Sequence, residues 1–166
     1  MAKEIERRFL VENEDWKSKG IISEEFSQAY LNSNPDEWTI RIRIIDNNQS
    51  YITLKSFING FVNYEFEYQI PKQDALELFK LSKHKITKTR YQLTINEKRW
   101  VVDCFSGSNA SLKIAEIELS SESEEIEVPS WCGKEITGIK SLSNASLAKT
   151  PISKISVKDR MKAKDT

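Results

Sequence analysis

Apolar and charged residues alternate one by one along most of this chain, the spacing of strands with two unlike faces. In "KEIERRFLV" (3–11), Ile5, Phe9, Leu10 and Val11 mark a strand, and Glu4, Glu6 and Arg8 share one face. "EWTIRIRIID" sets Trp38, Ile40, Ile42 and Ile44 against Arg41 and Arg43. "SYITLKSF" sets Ile52 and Leu54 against Thr53 and Lys55, and "NYEFEYQI" sets Tyr64, Phe66, Tyr68 and Ile70 against Glu65, Glu67 and Gln69. "ITKTRYQL" aligns Lys88, Arg90 and Gln92, "RWVVDCF" aligns Asp103 with Val101 and Phe105, and "LKIAEIEL" aligns Glu116 and Glu118 with Ile114. With "EEFSQAYL", where Gln28 and Tyr30 share a face, the count reaches about eight strands, joined by hairpins such as Asn47-Asn48 and Asn59-Gly60.

One stretch breaks the pattern. "PKQDALELFKLSKH" opens on Pro71 and spaces Ala75, Leu78, Phe79 and Leu81 for a helix, with His84 at its end. The Ser- and Glu-rich "SSESEEIEVPSWCGKEITG" reads as a solvated connection, its Glu122, Glu124 and Glu125 on the surface. "SNASLAKTPISKISVKDRMKAKDT" reads as a short helix, a proline break, a second short helix and a basic tail carrying Lys154, Lys158, Arg160, Lys162 and Lys164. No repeat or linker divides the chain, so residues 1–166 form a single domain with a core over about 2–149.

Two architectures fit these strands. An antiparallel sheet with one apolar face on helices and one charged face in water is the ordinary outcome. However, the chain has too little helix to cover so many apolar faces, which favours a mainly β (α+β) fold: an eight-stranded antiparallel closed barrel with a few flanking helices. The charges are also sorted by strand, carboxylates at 4–6, 65–67 and 116–118, cations at 41–43, 55 and 88–90. Closure around these rows makes a tunnel lined by both signs.

Composition narrows the partners. Lys plus Arg and Asp plus Glu each number 25, so no basic excess exists to hold nucleic acid or a membrane surface by bulk charge. No apolar stretch is long enough for a signal-peptide core or a bilayer span, and a cytoplasmic location is expected. Cys104 and Cys132 match no metal-ligand spacing with the lone His84 and read as reduced thiols. None of the five glycines is spaced as a phosphate loop, so phosphate must be gripped by side chains. Paired carboxylates at i and i+2 suit Mg²⁺ or Mn²⁺, and Arg and Lys on the same lumen suit phosphate oxygens. Neither set is readily buried alone.

At this point the motifs resemble a known family. "EIERRFLV" is similar to the E-x-E-x-K signature of CYTH domains, the triphosphate tunnel metalloenzymes, and the likeness continues through "QAYL", "RIRI", "LK", "EFE", "KTRY", "VVDCFSG", "AEIEL", "PSWCGKEITG" and "NASLA". Arg8 stands where the signature has Lys. The resemblance implies an eight-stranded tunnel that hydrolyses a small-molecule triphosphate with Mg²⁺ or Mn²⁺. Carried over, Glu4, Glu6, Glu116 and Glu118 hold metal. Glu65 and Glu67 orient a second metal and its water and, with Lys88, form the catalytic set. Arg8, Arg41, Arg43, Lys55, Arg90, Asp103 and Glu135 bind or support substrate. Inorganic tripolyphosphate is the expected substrate, with thiamine triphosphate hydrolysis and class IV-type adenylate cyclase activity as alternatives. Trp38, Trp100, Trp131, Tyr64 and Tyr68 are expected in the core rather than stacked on a base. A non-catalytic polyphosphate-binding module and a purely structural charge network are rival readings. Monomer and homodimer both remain open.

Overall fold

The computed structural model describes residues 2–18, 21–32, 34 and 37–162. Nine strands are found among them: β1 (Lys3–Val11), β2 (Ile22–Asn32), β3 (Thr39–Ile45), β4 (Gln49–Asn59), β5 (Val62–Gln69), β6 (His84–Ile95), β7 (Lys98–Phe105), β8 (Lys113–Glu118) and β9 (Cys132–Glu135). Three α-helices accompany them: α1 (Lys72–Leu81), α2 (Asn144–Lys149) and α3 (Val157–Lys162). None of the described helices is long and apolar enough to cross a membrane.

Strands β5, β4, β3, β2, β6, β7, β8 and β1 pair in that order, and β1 returns to β5, so eight antiparallel strands close a barrel. Closure is brief. Only Lys3, Glu4 and Ile5 of β1 face Tyr64, Asn63 and Val62 of β5. Beyond that point β9 takes over the vacated edge, with Phe9 opposite Glu135 and the Ile136 amide donating to the Arg8 carbonyl. An edge left open there would strand backbone polar groups, which is why a ninth strand is needed. The sequence pattern did not reveal β9, because "CGKE" lacks alternation.

Tight turns set the register. Asp46 and Asn47 (φ 50° and 53°) turn β3 into β4, one position earlier than the Asn47-Asn48 expectation, and Asn96 and Glu97 (φ 48° and 62°) turn β6 into β7. Left-handed pairs of this kind match the twist of hairpin strands.

The barrel turns its apolar faces outward, and three pieces of chain cover them. Phe9, Trp100, Val102 and Ile117 pack under Trp16, Leu119 and Trp131 from the connections. Ile42 and Ile44 pack under Ala75 of α1. Tyr30, Ile86, Phe105 and Ile114 point into the barrel at one end, where Ile136, Ile139, Leu142 and Leu147 meet them. This last cluster floors the tunnel. The opposite end is polar: Gln92 donates to Glu24, and Arg99 and Glu118 are exposed.

Several expectations are corrected here. Helix α1 stops at Leu81, because Ser82 is extended and both its amide and its hydroxyl bond back to the Leu78 carbonyl. His84 therefore opens β6 opposite Tyr30 rather than ending a helix, and Leu81 faces solvent. Trp100 and Trp131 are core, but Trp38, Tyr64 and Tyr68 are exposed on the outer face, where Trp38 meets Phe66. Glu124 pairs with Lys98 and accepts from the Ser120 amide, so it fastens its loop. Arg160 is buried, donating to the carbonyls of Ile155, Ser141 and Thr150, while Lys164 lies outside the described residues.

Trp100 is 1 % exposed and meets Phe9 and Trp131 at 5.8 and 5.9 Å. Trp100→Ala is expected to destabilise the fold by about 3–5 kcal/mol, read from chemical denaturation.

Candidate functional site

Strand parity and barrel closure together build the site. Residues of one parity on eight strands point inward, so the charged rows meet around a cavity of about 680 Å³. Its wall carries Glu4, Glu6 and Arg8 from β1, Arg41 and Arg43 from β3, Thr53 and Lys55 from β4, Glu65 and Glu67 from β5, Arg90 from β6, and Glu116 and Glu118 from β8. Four of these residues, on β1 and β8, form two directly opposed pairs: Glu6 faces Glu118 and Arg8 faces Glu116.

The charges form three groups. In the first, the Lys55 ammonium sits among three carboxylates, in contact with Glu4 and 3.5 Å from both Glu6 and Glu65. In the second, Glu67 accepts from Thr53 at 2.8 Å and lies 3.4 Å from both Arg41 and Arg43. In the third, Glu116 lies 3.2 Å from Arg8 and 3.1 Å from Arg90. Behind this group Asp103 takes Arg90 in a two-pronged contact at 2.7 Å and Lys88 at 2.6 Å.

Burial makes these groups respond strongly. Burial and the neighbouring Glu6 and Glu65 push the Glu4 carboxyl up to about 7 despite Lys55. Glu6 is also desolvated, but Lys55 and Arg8 hold it below the usual carboxylate range. Burial followed by the like charges of Arg41 and Arg90 lowers Arg43 to about 10. For Asp103, Arg90 and Lys88 outweigh burial and hold the carboxyl well below its ordinary value. Two donors remain unmatched on the cavity wall: Arg8 Nη2 and Arg41 Nε are buried without a hydrogen-bond acceptor.

The structure places three of the expected site residues off the cavity wall. Lys88 does not line the cavity: its ammonium is fully buried between Asp103 and the rings of Phe26 and Phe105, so it has no route to a ligand as placed. Asp103 is 0 % exposed and touches Arg90 and Lys88, so it supports the wall rather than forming it. Glu135 lies on β9 and pairs with Arg7, whose parity points outward, at 2.8 and 2.9 Å. The four glutamates assigned to metal are also divided. Glu4 and Glu6 share Lys55, Glu116 is held by arginines, and Glu118 is exposed. Among the described residues no three His, Cys, Asp or Glu side chains stand gathered for a metal as they are.

Further residues support the site without having been assigned a role from the sequence. Gln28, placed by parity on the face of Tyr30, is 0 % exposed, accepts from Arg43 and donates to Tyr30, and Thr53, on the face of Lys55, bonds Arg41 and Glu67. Thr137, Lys140, Asn144 and Lys149 also line the cavity, brought there by the floor segment. Arg8 fastens that segment by donating to the Leu142 carbonyl at 3.0 Å, a contact that uses one prong of its fork.

The chain resembles known proteins over most of its length. The CYTH domain pattern matches residues 2–150. An inorganic triphosphatase of Acetivibrio thermocellus is 37% identical over 155 residues, spanning 91% of this chain and 96% of the relative. The crystal structure of the inorganic triphosphatase NE1496 superposes with a TM-score of 0.66 at 29% identity, covering 89% of this chain and 95% of that one. The PH1012 protein from Pyrococcus horikoshii superposes with a TM-score of 0.58 at 25% identity, covering 72% and 79%.

The buried Lys88, Arg90 and Asp103 group makes stability predictions. Asp103→Asn strands two cations and is expected to cost about 3–5 kcal/mol at neutral pH. Because Asp103 titrates below its unfolded value, its contribution is present above that value and is lost as pH falls into strong acid. Lys88 runs the other way. Burial, with Arg90, lowers it to about 7 from 10.5 against the pull of Asp103, so the unfolded chain binds the extra proton and this group's contribution rises as pH climbs through that window. In melting curves across that range, Lys88→Met should lack the rise that wild type shows.

Proposed function

The chain belongs to the CYTH domain family, and from that premise we propose that it hydrolyses a linear inorganic triphosphate inside its barrel, releasing phosphate and diphosphate. The observation that carries this reading is the set of four arginines, Arg8, Arg41, Arg43 and Arg90, on the wall of a cavity whose other half is carboxylate. A chain of phosphates offers oxygens to several guanidinium groups at once.

Arg8, Arg41, Arg43 and Arg90 would bind the phosphate chain. Their guanidinium groups are held in advance by Glu116, Thr53, Glu67, Gln28 and Asp103, so little reorganisation is needed as charge moves toward the leaving diphosphate. Glu67 is occupied with Thr53, Arg41 and Arg43, which leaves Glu65 as the freer carboxylate: its Oε2 faces the Lys55 ammonium, and its other oxygen would orient water and take its proton. The water oxygen attacks the terminal phosphorus in line with the bridging oxygen, whose bond to that phosphorus breaks.

A divalent cation would be held at the Glu4, Glu6 and Glu65 end, where three carboxylates share the Lys55 ammonium and Glu118 lies across from Glu6, once these side chains draw in from the spacing that the ammonium imposes. Bound there, Mg²⁺ or Mn²⁺ would act as a Lewis acid on phosphate oxygens. The preference for an inorganic substrate over thiamine triphosphate or ATP rests on how the rings near the cavity are engaged. Trp38, Tyr64 and Tyr68 sit on the outer face, and of the described aromatics on the cavity wall Tyr30 is buried against Gln28, Phe61 packs on the outer core cluster and Phe57 carries the Lys140 ammonium 4.8 Å from its ring centre.

Phosphate release from tripolyphosphate, ATP and thiamine triphosphate, with Mg²⁺, Mn²⁺ or EDTA, tests the proposal. Metal-dependent turnover of tripolyphosphate above the other two is expected, with Glu6→Gln lowering it on the order of a hundredfold or more. Turnover that survives EDTA, or that prefers a nucleotide, would overturn it. Glu135→Gln, altering an outward pair, should leave turnover unchanged and cost under about 1 kcal/mol of stability.

A further inference from the structure

The three ion-pair groups of the cavity are not equivalent. Glu67 and Glu116 are each held by two arginines, whose planar forks are further fixed by Thr53, Gln28, Asp103 and the Leu142 carbonyl. Glu4, Glu6 and Glu65 share one ammonium, on a flexible four-carbon stem. Lys55 makes no other ion pair among the described residues. Glu4 Oε2 is buried in direct contact with that ammonium.

We propose that Lys55 is the built-in stand-in for the metal, its ammonium filling the Glu4, Glu6 and Glu65 site until a divalent cation displaces it onto the phosphate chain. This inference rests on the hydrolase reading for the identity of the metal and of the anion. Three carboxylates drawn together without a counter-charge repel one another and are costly to bury. The ammonium removes that cost and keeps the three carboxylates facing one point before any metal arrives. It also opposes metal binding, since a cation entering the site must expel one positive charge.

The expelled ammonium remains inside a cavity already crowded with Arg41, Arg43, Arg90 and Arg8. A phosphate chain bound to those arginines gives it a counter-charge. Metal and anion therefore assist each other through a residue that contacts both, and by linkage the assistance is reciprocal. The consequence is a protein that holds divalent metal weakly when empty and firmly when loaded with substrate. Lys55 thereby sets the order in which the site fills.

The test is a titration of the whole, metal-free protein with Mn²⁺, followed by calorimetry and by the electron paramagnetic resonance signal of free Mn²⁺, with no triphosphate present. Lys55→Met should bind Mn²⁺ at least about tenfold more tightly than wild type, equivalent to one displaced ion pair. Inorganic phosphate should strengthen Mn²⁺ binding more in wild type than in Lys55→Met. In EDTA the variant should melt below wild type and recover with Mn²⁺. If Lys55→Met does not fold in EDTA, Lys55→Gln, which keeps a polar head without charge, carries the same expectation. Equal or weaker Mn²⁺ binding by the folded variant would overturn the inference, as would no Mn²⁺ binding by either protein. Tripolyphosphate turnover, assayed separately, decides the hydrolase reading on its own.

Discussion

Carboxylates cannot be brought together inside a barrel without cations among them, and this requirement organises the whole interior. Each acidic group in the cavity has its own solution. Glu67 and Glu116 are bound by arginines from strands one or two places away in the sheet, and Glu4, Glu6 and Glu65 by the single ammonium of Lys55. Asp103 does the same for cations one layer back, compensating Lys88 and steadying Arg90. The barrel wall is therefore a balanced lattice of charges, and a few of its donors are left over for a ligand.

That lattice depends on apolar surfaces that lie elsewhere. Because the inward faces are committed to charge, the apolar faces point out and must be roofed by connecting chain, which is the work of Trp16, Trp131 and α1. At the floor the inward rows become apolar, and the segment around Ile136, Leu142 and Leu147 seals them. Arg8 joins the two systems, one nitrogen on Glu116 and another on the Leu142 carbonyl. A lysine gathers its three donors at one point, whereas separate nitrogens of Arg8 reach Glu116 and the Leu142 carbonyl, so the arginine at this signature position ties the floor to the charged wall.

The strands, their parity and the inward rows of Glu and Arg were legible in the sequence because a strand's two faces are written in alternate residues. That also determined the mainly β class, and the ordered motifs pointed to the family. Alternation gives no information where it is absent, so β9 and the floor residues Thr137, Lys140 and Asn144 were silent. Parity says which way a side chain points but not how deep it lies. Lys88 and Arg90 share one row, yet the first is buried behind the wall and the second stands on it. Only the tertiary structure decided that depth, the outward placement of Glu135, and the gathering of Glu4, Glu6 and Glu65 on Lys55. Each follows from which strands become neighbours when the sheet closes, a property of long-range pairing that no local stretch of sequence contains.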